Sequence, residues 1–166
     1  MDFITPFAKA VGYVLEMNFS ARPQWGKPAA HTEYPLAVGR GVVARVGITG
    51  ALDGVMAVGL HEKTAMGIAT AYGGARGVSH VNDEVKSLLR EFINMASGNA
   101  IARLAEQGLV CDITTPEVIT GRSLAIHCSP PARTAALPFS LNREELILFL
   151  TLRRAVPGAP LAWRVF

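Results

Sequence analysis

The stretch from Glu84 to about Gln107 constrains this chain most, because its apolar residues recur at helical spacing over many turns. Asn82 or Asp83 can cap the start, and Gly108 supplies a stop. On a wheel of about 100° per residue with Val85 at zero, Val85, Leu89, Phe92 and Ala96 fall within about 40° of zero. Leu88 and Met95 flank them, and together these residues form the expected core side. Ser87, Glu91, Asn94 and Gly98 fall between about 180° and 240° on the same wheel, a compact stripe facing away from the core. Asn99, at about 320°, falls on the core side. A buried amide must be hydrogen-bonded, so Asn99 is expected to tie the helix to a neighbouring strand or loop.

The rest of the chain reads as shorter elements around this helix. Asp2 to Phe19 carries Phe3, Phe7, Val11, Val14 and Leu15 at helical spacing, with Pro6 tolerable in the first turn. Ser20 to Pro35 holds three prolines and reads as a loop or an edge strand. Val38 to Ile48 and Val55 to Leu60 are valine-rich strands, and Gly50, Asp53 and Gly54 between them suggest a hairpin. Glu62 to Tyr72 reads as a helix ended by Gly73-Gly74. Beyond Asp112 the runs are strand-like: Val118 to Thr120, Leu124 to Cys128, Ala135 to Leu141 and Leu146 to Arg153. The last is nearly all apolar, as suits a strand buried on both faces. With 166 residues and no internal linker, a single domain over residues 1–166 is expected, built as a two-layer α+β or α/β sandwich.

Composition removes several classes of function. Half the residues are hydrophobic and 17% are charged, which excludes a disordered chain. Net charge is only +3 and the largest basic cluster is Arg153-Arg154, so no nucleic acid is expected as a partner. No apolar run reaches the roughly 18–20 residues that span a bilayer, and the first residues lack a basic-then-apolar leader. Cytoplasm is the expected compartment. Cys111 and Cys128 read as reduced thiols, and His31, His61, His80 and His127 are too scattered to suggest a metal site.

The stripe offers limited chemistry. Glu91, exposed and ionised, can only accept hydrogen bonds and could pair with a partner's lysine or arginine. The Asn94 amide can accept and donate, which suits orienting a water but not deprotonating it. No histidine, serine or cysteine stands within a turn of Asn94 as a nucleophile with its base. By itself the stripe also fits a merely solvated helix face.

The run Ser87-Leu88-Leu89-Arg90-Glu91-Phe92-Ile93-Asn94-Met95-Ala96-Ser97-Gly98-Asn99-Ala100 resembles the signature helix of the CheC/CheX/FliY family of chemotaxis phosphatases. That signature is Asp or Ser, three residues, Glu, two residues, Asn, with Gly-Asn-Ala often following in the CheX branch. Gly47-Ile48-Thr49-Gly50 with Gly54 before the helix, and Pro116-Glu117-Val118-Ile119-Thr120-Gly121 after it, fit the same pattern. The resemblance covers roughly Val43 to Phe149. It implies a two-layer sandwich in which a mixed, largely antiparallel sheet is packed by the signature helix and two further helices. It also implies a substrate, the aspartyl-phosphate of a CheY-like response regulator. Asn94 would hold the attacking water in line, and Glu91 would bond to a regulator lysine beside the phosphate. Ser87 and Gly98 would belong to the partner-binding surface. The chain would bind no cofactor, Mg2+ being carried by the regulator. One signature helix is present, since the first helix has Glu16 but Phe19 where an Asn is needed. A single site fits the CheX branch, whose members join sheet edges into homodimers. The competing readings are a non-enzymatic module that docks on a response regulator or a flagellar or chemotaxis partner, and a structural or small-ligand domain. The segment 20–35 and the tail after Ala155 match nothing in this pattern.

Overall fold

The computed structural model describes residues 2–19, 22–74 and 76–166, positions 19, 39 and 40 by backbone alone. Ser20 and Ala21, which open the proline-broken segment, lie outside the described residues. The chain runs α1 (Ile4–Phe19), β1 (Gln24–Trp25), β2 (Ala29–His31), β3 (Leu36–Gly50), β4 (Leu52–Leu60), α2 (Glu62–Ala71) and α3 (Asp83–Glu106). It continues through β5 (Cys111–Ile113), β6 (Glu117–Cys128), β7 (Thr134–Leu141), β8 (Glu144–Arg154) and β9 (Trp163–Val165).

All these strands belong to one sheet, ordered β1-β7-β8-β4-β3-β6-β9, with β2 also on β7 and β5 also on β3. Every pairing among the described residues is antiparallel. The hairpin of β3 and β4 turns at Ala51, where Gly50 takes a positive φ of 104° that glycine adopts without strain. At Gly54 a side chain would run into the Thr151 backbone of β8, so only glycine lets the two strands pair there. The segment after α1 reaches the sheet as two short edge pieces, β1 and β2, both on β7. The tail returns as β9 along β6.

The helices cover one face of the sheet. Val42, Ala44, Val46 and Ile48 of β3, Met56 and Val58 of β4, and Leu146, Leu148 and Leu150 of β8 meet Phe7, Val11 and Leu15 of α1 and Leu89, Phe92 and Ile93 of α3. Each such large apolar side chain stabilises the fold by ~1.5–3 kcal/mol. The opposite face carries a smaller cluster: Val38, Val43, Ala57, Leu124, Ile126, Cys128, Ala136, Phe149 and Val165. Strand β8 is thus buried on both sides, with Leu148 and Leu150 on one face and Phe149 on the other.

Two register shifts between Ala37 and Gly41 divide β3. Before them Val38 lines the second face; after them even-numbered residues line the helix face. Strand β6 changes phase as well, since Ile119 and Leu124 pack on the same cluster. It is therefore one continuous strand, although Gly121-Arg122-Ser123 makes it read as two.

Helix α1 starts at an acid: Asp2 Oδ1 accepts from the backbone amides of Ile4 (2.9 Å) and Thr5 (3.1 Å). The Thr5 hydroxyl, and then these amides, hold the Asp2 carboxyl below its ordinary range. The tail is pinned by Asp53, whose carboxylate accepts from Leu161 N (2.6 Å) and from Arg153 Nη2 (3.2 Å). Trp163 of β9 lies under the Arg45 guanidinium, 5.0 Å from ring centroid to Cζ, and Arg45 pairs with Glu117. These contacts close the second apolar cluster at that end.

Candidate functional site

Helix α3 begins where Asn82 Oδ1 accepts from Val85 N at 3.0 Å. Asp83 and Glu84 in its first turn and Arg103 in its last complement the helix dipole. Its buried residues are Val85, Leu89, Phe92, Ile93, Ala96, Ser97, Ala100 and Leu104. This arc is rotated from the one the wheel suggests. Ile93 and Ser97, at about 80° and 120° on the wheel, are fully buried, while Met95 is 39% exposed. The cause is the helix layer. Both α1 and α2 pack against α3, and the loop after α2 meets it at Leu88, beside Gly74. Ser97 answers burial locally, donating to Ile93 O at 2.7 Å.

Asn99 departs from expectation for the same reason. It is half-buried, and its Nδ2 donates to Met95 O at 3.2 Å, within its own helix. It ties α3 to no neighbouring strand or loop through that bond, because its side of the helix is only partly covered.

The stripe faces outward. Ser87, Glu91 and Asn94 are exposed, and their side chains form no hydrogen bond or ion pair with the described residues. Gly98 is half-buried, yet a Cβ there would meet nothing within 4 Å. The structure brings these four residues onto one open face of one helix, away from the sheet. The face holds a negative charge, an amide able to donate and accept, and a gap in side-chain cover. Among the described residues nothing holds Glu91 and Asn94 back from a second molecule.

One neighbour of this face has no signal in the sequence beyond marking a helix end. Tyr72 closes α2 as its C-cap and is half-buried, with its hydroxyl shielded from solvent and without a hydrogen-bond partner among the described residues. Burial, and secondarily the negative charge of Glu91, push its phenol up to about 12. The carboxylate of Glu91 therefore lies within electrostatic reach of the Tyr72 ring.

Among the described residues no three His, Cys, Asp or Glu side chains come together to hold a metal ion. No described helix is long and apolar enough to cross a membrane.

The family model "Chemotaxis phosphatase CheX" matches residues 42–140. The CheY-P phosphatase CheX of Thermotoga maritima is 31% identical over 125 residues, covering 74% of this chain and 77% of that protein. The crystal structure of the chemotaxis protein CheX from Desulfovibrio desulfuricans superposes with a TM-score of 0.80 at 27% identity, covering 93% of this chain and all of that one. A CheX of Borrelia burgdorferi, solved as a CheX–CheY–BeF3–Mg2+ complex, superposes with a TM-score of 0.73 at 25% identity, covering 92% and 99%. The family match takes in β4, α2, α3, β5 and β6, including the whole stripe. This chain belongs to the CheX family of chemotaxis phosphatases.

Proposed function

We propose that this protein hydrolyses the aspartyl-phosphate of a CheY-like response regulator, with Asn94 orienting the attacking water and Glu91 pairing with a regulator lysine. The observation that carries the reading is the exposed stripe, on which Glu91 and Asn94 stand without partners among the described residues. The related proteins support it: one is a CheY-P phosphatase and another is complexed with CheY, BeF3 and Mg2+.

The chemistry divides between the two molecules. The regulator supplies the phosphoryl group, its lysine and the Mg2+; this chain supplies placement. Asn94 enters the regulator's site and holds a water in line with the phosphorus. Attack forms a water-oxygen-to-phosphorus bond and breaks the bond to the aspartate oxygen, releasing phosphate and a free carboxylate. Placement plus electrostatics suffices for such a transfer, as a glutamine amide does for water in GTPases. Glu91 makes a charge-assisted bond worth about 1.5–3 kcal/mol to the lysine. Ser87 and Gly98 form part of the docking surface, where Gly98 leaves clearance for the partner. The protein works in the cytoplasm, and it forms a homodimer through sheet edges.

The test is the rate of phosphate loss from phosphorylated receiver domains with and without the protein. Asn94→Ala is expected to cut the stimulated rate by about 100-fold while leaving binding nearly unchanged. Glu91→Ala is expected to raise the half-saturating regulator concentration by about ten- to a hundredfold and to slow turnover. Wild-type turnover in Asn94→Ala would sink the water-positioning role. Stable binding with unaltered decay would instead favour the second reading, a docking module, which the lack of any base-activated nucleophile on the stripe makes chemically coherent.

A further inference from the structure

Arg103 is out of place on α3. At about 0° on the wheel it falls inside the arc of buried residues, in line with Val85 and opposite the stripe. A cation in the last turn complements the helix dipole, but the dipole does not account for its place on the covered side. Arg103 is half-buried, its Nε is shielded from solvent, and its guanidinium makes no hydrogen bond or ion pair among the described residues. A part-buried charge without a counter-charge is unfavourable. Arg103 lines a cleft of about 650 Å³ between α1 and the segment 22–28, within the usual size of a small-molecule site. Lys9 and Arg22 line it too, against one acid, Glu16, which pairs with Arg22 at 3.5 Å. Among the described residues, Lys9 and Arg103 are thus two cations left over. Tyr13 and Trp25 line the same cleft, with 48% and 38% of their surface exposed. Gly12 lines it as well, and a Cβ there would meet nothing within 4 Å among the described residues, so the cleft reaches the backbone of α1.

We propose that this cleft binds a small organic anion in which a flat ring carries a phosphate or a carboxylate. Arg103 and Lys9 receive the anionic group, and Tyr13 and Trp25 receive the ring. A guanidinium matches either anion with paired N–H donors, and an ammonium adds a point charge. Aromatic side chains offer a flat ring a large contact area and a favourable stacking geometry. The ligand supplies the counter-charge that Arg103 lacks among the described residues. The site is separate from the docking stripe. Arg103 stands nine residues beyond Asn94, about 13.5 Å along the helix axis, and on the opposite side of α3. The inference therefore does not rest on the phosphatase reading.

Titration calorimetry on the full chain with four probes tests this. Adenosine monophosphate carries ring and phosphate, phenylacetate carries ring and carboxylate, adenosine is the ring without the charge, and inorganic phosphate is the charge without the ring. At least one of the two ring anions is expected to bind with a dissociation constant of about 1 mM or below. Adenosine and inorganic phosphate should bind at least about tenfold more weakly. The tighter of the two ring anions identifies the anionic group, and either result supports the site. Arg103→Gln and Lys9→Gln should each weaken that probe by about tenfold and leave adenosine within about twofold of wild type. Lys9 is exposed, so its replacement leaves the fold intact and carries the test should Arg103→Gln fail to fold. Trp25→Ala should weaken the same probe by about fivefold. A guanidinium that only packs would lower stability on replacement and leave affinity unchanged. The inference is overturned by no saturable binding of either ring anion up to about 10 mM, by equal affinity for adenosine and its monophosphate, or by wild-type affinity in both charge variants. None of these outcomes bears on Glu91 or Asn94, whose roles the decay assay reads separately.

Discussion

Tyr72 makes a prediction about alkaline stability that needs no regulator. Its phenol is held up to about 12 in the folded protein against 10.0 for an unperturbed tyrosine, by burial first and by Glu91 second. A raised value means that the folded state keeps its proton after the unfolded state has lost it. The stabilisation is complete below pH 10 and is lost as pH rises toward 12. Burial also raises Tyr34 and Cys128, so part of the alkaline loss belongs to them. Denaturant unfolding of wild type and Tyr72→Phe at about pH 9 and about pH 11 separates the contributions. The variant is expected to lose less stability over that interval, and an identical loss in the two proteins would remove Tyr72 from the account. At this scale the sequence is informative about Ser87, Glu91 and Asn94, because exposure on a long helix follows from spacing alone. It says nothing about Tyr72, whose surroundings exist only once α2 and α3 pack.

Helix α3 carries the stripe, and Gly98 is its weak point. A glycine inside a helix lowers stability by about 1 kcal/mol against alanine. Here a Cβ would meet nothing within 4 Å among the described residues, so none of them gives a steric reason that holds glycine in place. Gly98→Ala is therefore expected to stabilise the free protein by up to about 1 kcal/mol. It should weaken stimulated regulator dephosphorylation if a partner's backbone approaches there. Denaturant unfolding and the decay assay read the two effects separately; a more stable variant with wild-type turnover would show that Gly98 gives no clearance. The elements were legible wherever a period ran long enough. Helix α3 is the clearest case, with its Asn82 cap and its stop near Gly108. Its buried arc was not, because a wheel cannot know where the rest of the molecule covers α3, and there Ile93 and Ser97 are buried while Met95 and Asn99 stay half open. Strand β6 looked like two strands because a change of phase at Gly121-Arg122-Ser123 breaks its alternation. Strands β1, β2 and β9 span only two or three residues each, too short for any pattern, and their places are set by partners far along the chain.

At the scale of the whole molecule, the two sides of the sheet end differently. On one side β7 is the last long strand, and its outer edge is covered by β1 and β2 at Ser140, Phe139 and Thr134 to Ala136. On the other side β6 pairs with β3 along most of its length, but β9 covers Ile126, His127 and Cys128, and the residues flanking β9, Phe166 and Ala162, add bonds only to Ala125 and Ser129. Residues 117–123 thus lack a second strand among the described residues, and Thr120, Gly121, Arg122 and Ser123 are all exposed. An open edge of this kind is a template for another strand. The proposed homodimer uses it most economically by pairing two copies antiparallel about a two-fold axis, which closes the assembly. If the pairing takes in the whole edge, its middle residue, Thr120, faces its own copy. Thr120→Lys would then place two like charges opposite each other, which destabilises a cross-strand pair. Sedimentation equilibrium is expected to give twice the chain mass for wild type and a shift toward the single mass for Thr120→Lys. Decay acceleration per chain should stay unchanged, because Thr120 lies on a sheet edge and the stripe lies on the far side of α3. A wild type of single mass would sink the homodimer, and an equally tight Thr120→Lys dimer would move it to another surface.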